Sequence, residues 1–236
     1  MRQSRIVLVN TSHPGNIGAA ARAMKNMGLD ELFLVSPQHF PSAEATARAS
    51  GADDLLSRAK CVAGLDAAVA GASLVIGASA RSRTLPVPMV NPRQCAELVM
   101  QQPEGALSAI LFGHERTGLT NDELDRCHYL VQIPTNPDYP SLNIAAAVQV
   151  IAYELRMAAR IPAAKTEKSH RFATADEMEL FYRHLESTLI GIDFLDPENP
   201  RQLMRRLRRL FGRVRPNENE INILRGILTS IDQKTR

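Results

Sequence analysis

The chain has 236 residues, of which 44% are hydrophobic, and a formal net charge of +3. This length is enough for one substantial core with an appendage, or for two small domains. The modest charge does not by itself indicate a nucleic-acid partner, so the distribution of charge along the chain is more informative than its sum.

We expect neither a signal peptide nor a membrane span. Arg2 and Arg5 are followed by an apolar run of only four residues, which is too short for a signal peptide. The longest weakly charged segment, 62–80, contains Asp66 and several glycines, which is typical of a helix followed by a strand. The cysteines are far apart and form no CxxC pair, which predicts a reduced cytoplasmic compartment, no disulfide framework and no zinc site. They are Cys61, Cys95 and Cys127.

Strands and helices alternate along the first hundred residues. Asn16 is predicted to cap the first helix and Gly28 to end it. Strands separated by helices favour a mostly parallel sheet covered on both faces. No GxGxxG motif follows the first strand, so a nicotinamide-binding Rossmann domain is not expected. Apolar periodicity predicts strands at 5–9, 31–35, near Cys61 and at 74–77, and helices at 17–27, 42–49, 65–70 and 92–101.

The rest of the chain is organised around residues 107–155. This stretch predicts a strand at 109–112, a polar loop, a short helix from Thr120, a strand at 129–133, a proline-rich turn and a long helix from about Ser141. In open α/β sheets, ligands sit in loops of this kind at the carboxyl ends of strands. Main-chain N–H groups and helix N-termini converge there, so we expect a ligand site.

Loop 113–120 begins like a phosphate-binding P-loop. That motif requires Lys and then Ser or Thr after its second glycine, but Leu119 stands at the Lys position. Glu115 would also repel a triphosphate, so an ATP or GTP site is not expected. For this loop taken alone, a glycine-capped turn is the alternative.

Three segments together carry a family resemblance. Segment 16–28 follows the first strand, segment 113–118 follows another, and segment 139–143 opens the long helix. In this order and spacing they resemble the three motifs of the SPOUT class of RNA methyltransferases, in its TrmH-like branch. They are most similar to the bacterial TrmJ-type tRNA 2′-O-methyltransferases.

The resemblance implies a fold, a cofactor and a set of site residues. It implies an α/β fold whose C-terminal part, roughly 107–156, forms a deep trefoil knot, although sequence rules alone favour an unknotted sheet. It also implies a homodimer with shared active sites and S-adenosylmethionine as methyl donor, with Gly113 leaving space for the donor. The implied cofactor-binding residues are Ala78, Ser79, Ala80, Gly113, Ile133, Ser141 and Leu142. The implied catalytic residues are Asn16, Arg22, Glu115, Ser141 and Asn143.

Arg22 is the residue that we single out among them. A guanidinium stays protonated at physiological pH, so we expect it to pair with a phosphate and stabilise the developing alkoxide. The hydroxyl proton would then pass to a phosphate oxygen, Ser141 or water. The alternatives are a surface arginine at this position and a helix-capping role for Glu115. Ala145 stands where many TrmH-like enzymes have serine, and the TrmJ-type pattern accommodates it.

After residue 160 the character of the sequence changes. Residues 161–173 predict a linker, and 174–236 predict a small all-helical extension that binds tRNA. Thr174 is predicted to cap the first helix of this extension, Pro200 precedes the second, and residues 218–232 form the third. No strand pattern occurs there.

An arginine-rich stretch, 201–215, contains seven arginines and no acidic residue. Apolar residues recur on one face of it, which predicts a helix instead of a disordered tail. Either the arginines contact an RNA backbone, or they pair with acids of a neighbouring helix such as Glu177, Glu179 and Glu186. The predicted RNA-binding residues are Arg205, Arg206, Arg208 and Arg209.

The resemblance implies methylation of a ribose 2′-OH in tRNA, at nucleotide 32 of the anticodon loop. The alternatives are another tRNA or rRNA nucleotide, a non-catalytic RNA-binding protein that kept the fold, and a metabolic enzyme acting on a small molecule. The intact Asn16, Arg22, Ser141 and Asn143 argue against loss of catalysis. The arginine-rich helix argues against a small-molecule substrate. No metal-ligand residues and no membrane partner are expected.

Overall fold

The structure is a computed structural model that describes residues 2–79, 87–161 and 171–235. We call residues up to 161 the α/β domain and residues 171–235 the helical extension. The predicted cofactor residue Ala80 lies outside the described residues, as does most of the predicted linker.

Strands and helices alternate through the α/β domain, as predicted. Its strands are β1 (Ser4–Val9), β2 (Glu31–Val35), β3 (Lys60–Val62), β4 (Ala72–Ala78), β5 (Met89–Val90), β6 (Leu107–Phe112) and β7 (Tyr129–Val131). Its helices are α1 (Pro14–Met27), α2 (Ala43–Ala49), α3 (Asp53–Ser57), α4 (Leu65–Val69), α5 (Pro92–Met100), α6 (Asn121–Leu124) and α7 (Ile144–Ala158).

The described strands form one sheet in the order β3-β2-β1-β6-β4-β7-β5, and every pairing between them is parallel. The central strands β1, β6 and β4 are buried nearly throughout, because helices cover both faces of the sheet. This confirms the α/β class. Since β1, β6 and β4 are neighbours, the loops that follow their carboxyl ends meet at one edge of the sheet.

Two apolar clusters fill the spaces on the two faces of the sheet. The larger one joins β1, β4 and β6 to α1, α2, α5 and α7. Helices α1 and α2 approach closely at Gly18, where a Cβ atom would lie 2.0 Å from the carbonyl oxygen of Ala45. The second cluster packs the opposite face against α4 and α6, and Leu119 and Leu124 are buried in it.

Several predicted boundaries are wrong for local reasons. Helix α1 begins at Pro14 with His13 as its N-cap, so Asn16 lies in the first turn and is not the cap. Proline suits the first helical position because its φ is already helical. Helix α7 begins at Ile144 instead of about Ser141, because the side chain of Asn143 caps it. Helix α3 and the two-residue edge strand β5 escaped prediction, since both are short.

The helical extension consists of α8 (Ala175–Gly191), α9 (Leu203–Val214) and α10 (Glu218–Thr235). Thr174 caps α8, as predicted, and forms a capping box with Glu177. A small core of Phe181, Ile221 and Leu228 joins α8 to α10. None of the described helices is both long and apolar enough to cross a bilayer.

Candidate active site

A cavity of about 220 Å³ lies at the edge of the sheet where the motif loops meet. The end of β4, the loops after β6 and β7, and the start of α7 form its walls. Every predicted cofactor residue that the structure describes lines this cavity: Ala78, Ser79, Gly113, Ile133, Ser141 and Leu142. Residues more than 60 positions apart in sequence therefore share one pocket.

The loop after β6 folds back on itself beside this cavity. The N–H of Gly118 donates a hydrogen bond to the carbonyl of His114 over 2.8 Å. A Cβ atom on Gly113 would lie 2.3 Å from both the carbonyl carbon of Gly118 and the nitrogen of Leu119. The absence of a side chain at Gly113 thus makes room for the returning loop, a contact that the sequence did not predict, and space for the donor at this position stays a prediction.

Three predicted catalytic residues from the three motifs form one hydrogen-bonded chain. Asn143 Nδ2 donates to Asn16 Oδ1 over 2.8 Å, and Asn16 Nδ2 donates to Glu115 Oε1 over 3.0 Å. The orientation of each amide is fixed, because Asn143 Oδ1 accepts the N–H of Ala145 at the start of α7. The three motifs are thus held together by side chains as well as by the sheet.

Glu115 is the acceptor at the end of this chain. Its carboxylate also accepts hydrogen bonds from the main-chain N–H groups of Ser12 and His13 and from the Ser12 hydroxyl. Partial burial would raise the pKa of Glu115, but these hydrogen bonds and that from Asn16 outweigh it and lower the pKa to about 2. Glu115 is therefore ionised near neutral pH and is a poor proton acceptor there.

Ser12 and His13 were not foreseen as site residues. They follow the carboxyl end of β1, which adjoins β6 in the sheet. The polar residues between β1 and Pro14 were the available signal, since loops at this edge supply ligand contacts in α/β sheets.

Arg22 is not part of the hydrogen-bonded chain formed by Asn143, Asn16 and Glu115. It lies on α1 six residues after Asn16, which is about 9 Å along the helix axis and about 120° around it. Its side chain is exposed, does not line the cavity, and has no hydrogen bond or ion pair with the described residues. The structure thus brings Asn16, Glu115 and Asn143 together, adds Ser141 in the cavity wall, and leaves Arg22 outside.

The arginine-rich helix α9 faces the α/β domain with much of its charge. Arg205 and Arg209 donate to Asp125, and Arg208 pairs with Glu179 of α8. Of the four predicted RNA-binding arginines, only Arg206 is exposed without an ion pair to a described residue. Pairing with neighbouring acids, the alternative kept open above, accounts for the other three.

The acids that hold these arginines were only partly foreseen. Glu179 is one of the expected partners, but Glu177 pairs with Arg171 instead. Asp125, which lies in the α/β domain, was not expected at all. A second cavity, of about 240 Å³, lies at this junction and away from the motif loops. Within residues 2–79, 87–161 and 171–235, no group of three His, Cys, Asp or Glu side chains could hold a metal ion.

The family models and the relatives that match this chain agree on one family. Residues 3–153 match the SpoU rRNA Methylase family, and residues 176–236 match the C-terminal domain of tRNA methyltransferase TrmJ. The chain is 54% identical over 243 residues to the tRNA (cytidine/uridine/adenosine-2′-O-)-methyltransferase TrmJ of Pseudomonas aeruginosa strain UCBPP-PA14, covering 98% of this chain and 95% of that protein.

A second relative and a solved structure extend the likeness over the full length. The tRNA (cytidine/uridine-2′-O-)-methyltransferase TrmJ of Klebsiella pneumoniae is 52% identical, covering 100% of this chain and 99% of that protein. The crystal structure of TrmJ from Z. mobilis ZM4 superimposes with a TM-score of 0.86 at 35% identity, covering 97% of this chain and 99% of that one. The chain therefore belongs to the SpoU methylase family and, within it, to the TrmJ tRNA 2′-O-methyltransferases.

Proposed function

We propose that this protein transfers a methyl group from S-adenosylmethionine to a ribose 2′-OH of tRNA. The observation that carries the proposal is the hydrogen-bonded chain Asn143, Asn16, Glu115, which joins the three motif loops beside the cavity. Residues with small or no side chains are part of the cavity wall, namely Ala78, Ser79, Gly113 and Gly118, which suits an adenosyl group recognised through backbone contacts. The cofactor supplies an electrophilic methyl group.

The protein's own side chains have two kinds of role in this proposal, positioning and stabilisation of charge. Glu115, Asn16 and Asn143 hold the motif loops in register and are positioning residues, because the carboxylate is already saturated with hydrogen bonds. Arg22 is exposed and available to hold a phosphate and stabilise the alkoxide that forms as the hydroxyl loses its proton. That proton passes to a phosphate oxygen, to Ser141 or to water.

The proposed target is nucleotide 32 of the anticodon loop, a single-stranded position whose base can be turned outward. This target rests on the motif resemblance. The relatives differ in name by one base, since that from P. aeruginosa includes adenosine and that from K. pneumoniae does not. Labelled S-adenosylmethionine incubated with unmodified tRNA carrying C, U or A at position 32, followed by nucleoside mapping, tests both the reaction and its base tolerance. Absence of any 2′-O-methyl product would overturn the proposal.

We propose that residues 174–236 bind RNA, and that residues 161–173 link them to a methyltransferase domain formed by residues 1–160. Of the predicted set, Arg206 is the residue best placed for a phosphate contact, because its guanidinium is exposed and unpaired among the described residues. Arg201 and Arg213 share this character on the same stretch. Arg205, Arg208 and Arg209 would have to leave their carboxylates before contacting RNA.

We also propose a homodimer in which Arg22 serves the partner's active site. Two observations support this. Arg22 is exposed on α1 and does not line the cavity of its own chain. Helix α7 exposes Tyr153 and Met157, one turn apart, with Ile161 beyond them. A second copy would cover this apolar surface. We also propose a trefoil knot, because the small side chains of residues 145–147 favour close packing where the knot would form. A tRNA substrate implies a cytoplasmic enzyme.

The shared site can be tested by mixing two inactive proteins. Arg22→Ala lacks the proposed phosphate contact, and Gly113→Ala should distort loop 113–118, which lines the cofactor cavity and is called the cofactor loop below. Exchange of subunits creates heterodimers that contain one intact composite site, so part of the activity should return. No recovery, despite exchange demonstrated with labelled subunits, would mean that each chain completes its own site.

A further inference from the structure

Asp125 is an acidic residue that none of the motif arguments use. It caps the C-terminal end of α6, and its side chain is only 6% exposed. Arg205 Nε donates to its Oδ2 over 2.6 Å, and Arg209 Nη2 donates to its Oδ1 over 3.1 Å. Both donors come from α9, about 80 positions later in the chain. One enclosed carboxylate thus fastens the arginine-rich helix to the α/β domain.

The residue beside it forms a second attachment. Arg126 pairs with Asp66 of α4 over 2.9 Å and with Glu179 of α8 over 3.1 Å. Glu179 also receives Arg208 of α9. The end of α6 is therefore held by two helices of the extension, and the arginines of α9 contribute to this junction.

The other end of the same segment forms the cofactor loop. Residues 113–118 line the cavity, and Glu115 accepts the hydrogen bonds from Asn16, Ser12 and His13 described above. Between this loop and Asp125 lies only α6, which starts with a capping box at Thr120 and Glu123. Leu119 and Leu124, each 2% exposed, fix this segment in the core. A short packed segment transmits position well because it has little freedom to bend.

We propose that Asp125 is a positioning residue for methyl transfer: it fixes α9 to the end of the segment that forms the cofactor loop, and thereby sets where RNA held by the extension meets the cavity. This inference rests on the proposed function. It assigns to Arg205 and Arg209 an orienting role instead of phosphate contacts. Removal of the carboxylate leaves two crowded guanidiniums without their counter-charge, so α9 should shift.

The decisive variant is Asp125→Asn in the full-length protein. Cofactor affinity, measured by calorimetry with S-adenosylmethionine alone, should stay within about twofold of wild type, because the cavity walls are untouched. The single-turnover rate with saturating tRNA and cofactor should fall by roughly 10- to 100-fold, since small misplacements of reacting groups have effects of that order. Asp122→Asn is the matched control, because Asp122 lies in the same helix and favours the charge of Arg205 but is exposed and forms no ion pair with a described residue. This variant should keep the wild-type rate.

A second variant keeps the test open if Asp125→Asn fails to fold. Arg205→Gln removes one of the two donors and leaves Arg209 in place. It should lower the same rate, without changing the salt dependence of tRNA binding. Combined with Asp125→Asn, its loss should not multiply, because both changes break one contact. A wild-type rate in either single variant, or multiplied losses in the pair, would overturn the inference.

These outcomes differ from failure of the proposed function. If the wild-type protein transfers no methyl group to tRNA, the function itself is wrong. If wild type is active and Asp125→Asn behaves like Asp122→Asn, only the positioning role of Asp125 is wrong.

Discussion

Asn143 and Asn16, separated by 127 positions, share a hydrogen bond of 2.8 Å between Nδ2 and Oδ1. Asn143 has a second task, because its Oδ1 caps α7 at the N–H of Ala145. These two tasks use different atoms of one amide. They can therefore be separated by substitution.

Asn143→Ser should keep the helix cap and lose the link to Asn16, because the shorter side chain can accept from α7 but cannot reach across. Its free energy of unfolding should remain within about 0.5 kcal/mol of wild type, whereas Asn143→Ala should lose about 1 kcal/mol. Methyl transfer should drop at least about tenfold in both. Urea unfolding and single-turnover rates measure the two effects.

A remote cap provides the control for this experiment. Asn91 caps α5 in the same way, within a capping box. Asn91→Ala should lower stability by a similar amount and leave the transfer rate unchanged. Full activity in Asn143→Ser would show that the link between the motifs has no part in the reaction.

Titration of Glu115 should change the free energy of unfolding at acid pH and should not change the rate of methyl transfer near neutral pH. Its pKa is lowered from 4.5 to about 2 on folding. The stabilisation is therefore fully present above the unfolded pKa and is lost as the pH falls from about 4.5 towards 2. Compared with Glu115→Gln, the wild-type advantage in urea unfolding should be constant from pH 7 to 5 and shrink below that. An advantage that persists undiminished at pH 3 would contradict the lowered pKa.

Gly113→Ala should abolish cofactor binding while the protein stays folded. The added Cβ would meet the main chain of Gly118 at 2.3 Å, so the loop must open and the cavity wall is lost. Gly64→Ala is the matched control, because a Cβ there meets no atom within 4 Å. Calorimetry with S-adenosylmethionine should show binding for Gly64→Ala only. Wild-type affinity in a folded Gly113→Ala protein would refute this account of the loop.

Much of this architecture could be predicted because its signals are local. The apolar run 109–112 indicates β6, and the capping box at Thr174 lies within four residues. The meeting of the motif loops at one cavity could be predicted because they follow strands of a parallel sheet. Asp125 could not be identified as the partner of Arg205, because no local pattern connects residues 80 positions apart.

The role of Glu115 was hidden for the same reason. Its main-chain donors, Ser12 and His13, lie more than 100 positions earlier and reach it only through the pairing of β1 with β6. A carboxylate in a motif loop therefore suggests chemistry from sequence, whereas its hydrogen bonds in the structure support the positioning role proposed above. The face of α9 was ambiguous because an amphipathic arginine helix suits both RNA and a neighbouring acid.

The exposed arginines of the extension should carry the salt dependence of tRNA binding. Replacing Arg201, Arg206 and Arg213 together by Gln should lower the slope of log K against log salt by roughly 2 to 3 units, with 0.7 to 0.9 expected per phosphate contact. Arg205→Gln should leave the slope unchanged, because Arg205 is paired with Asp125 in the wild-type protein. A wild-type slope in the triple variant would mean that RNA binds elsewhere on the protein.

The most direct measurement of the proposed activity uses tRNA that lacks one hydroxyl. Transcripts with a single 2′-deoxynucleotide at position 32, or at position 33 as control, are incubated with the protein and labelled S-adenosylmethionine. The transcript lacking the hydroxyl at 32 should accept no methyl group, while the control should be methylated like the unmodified tRNA. Equal methylation of both transcripts would contradict transfer to the 2′-OH of nucleotide 32.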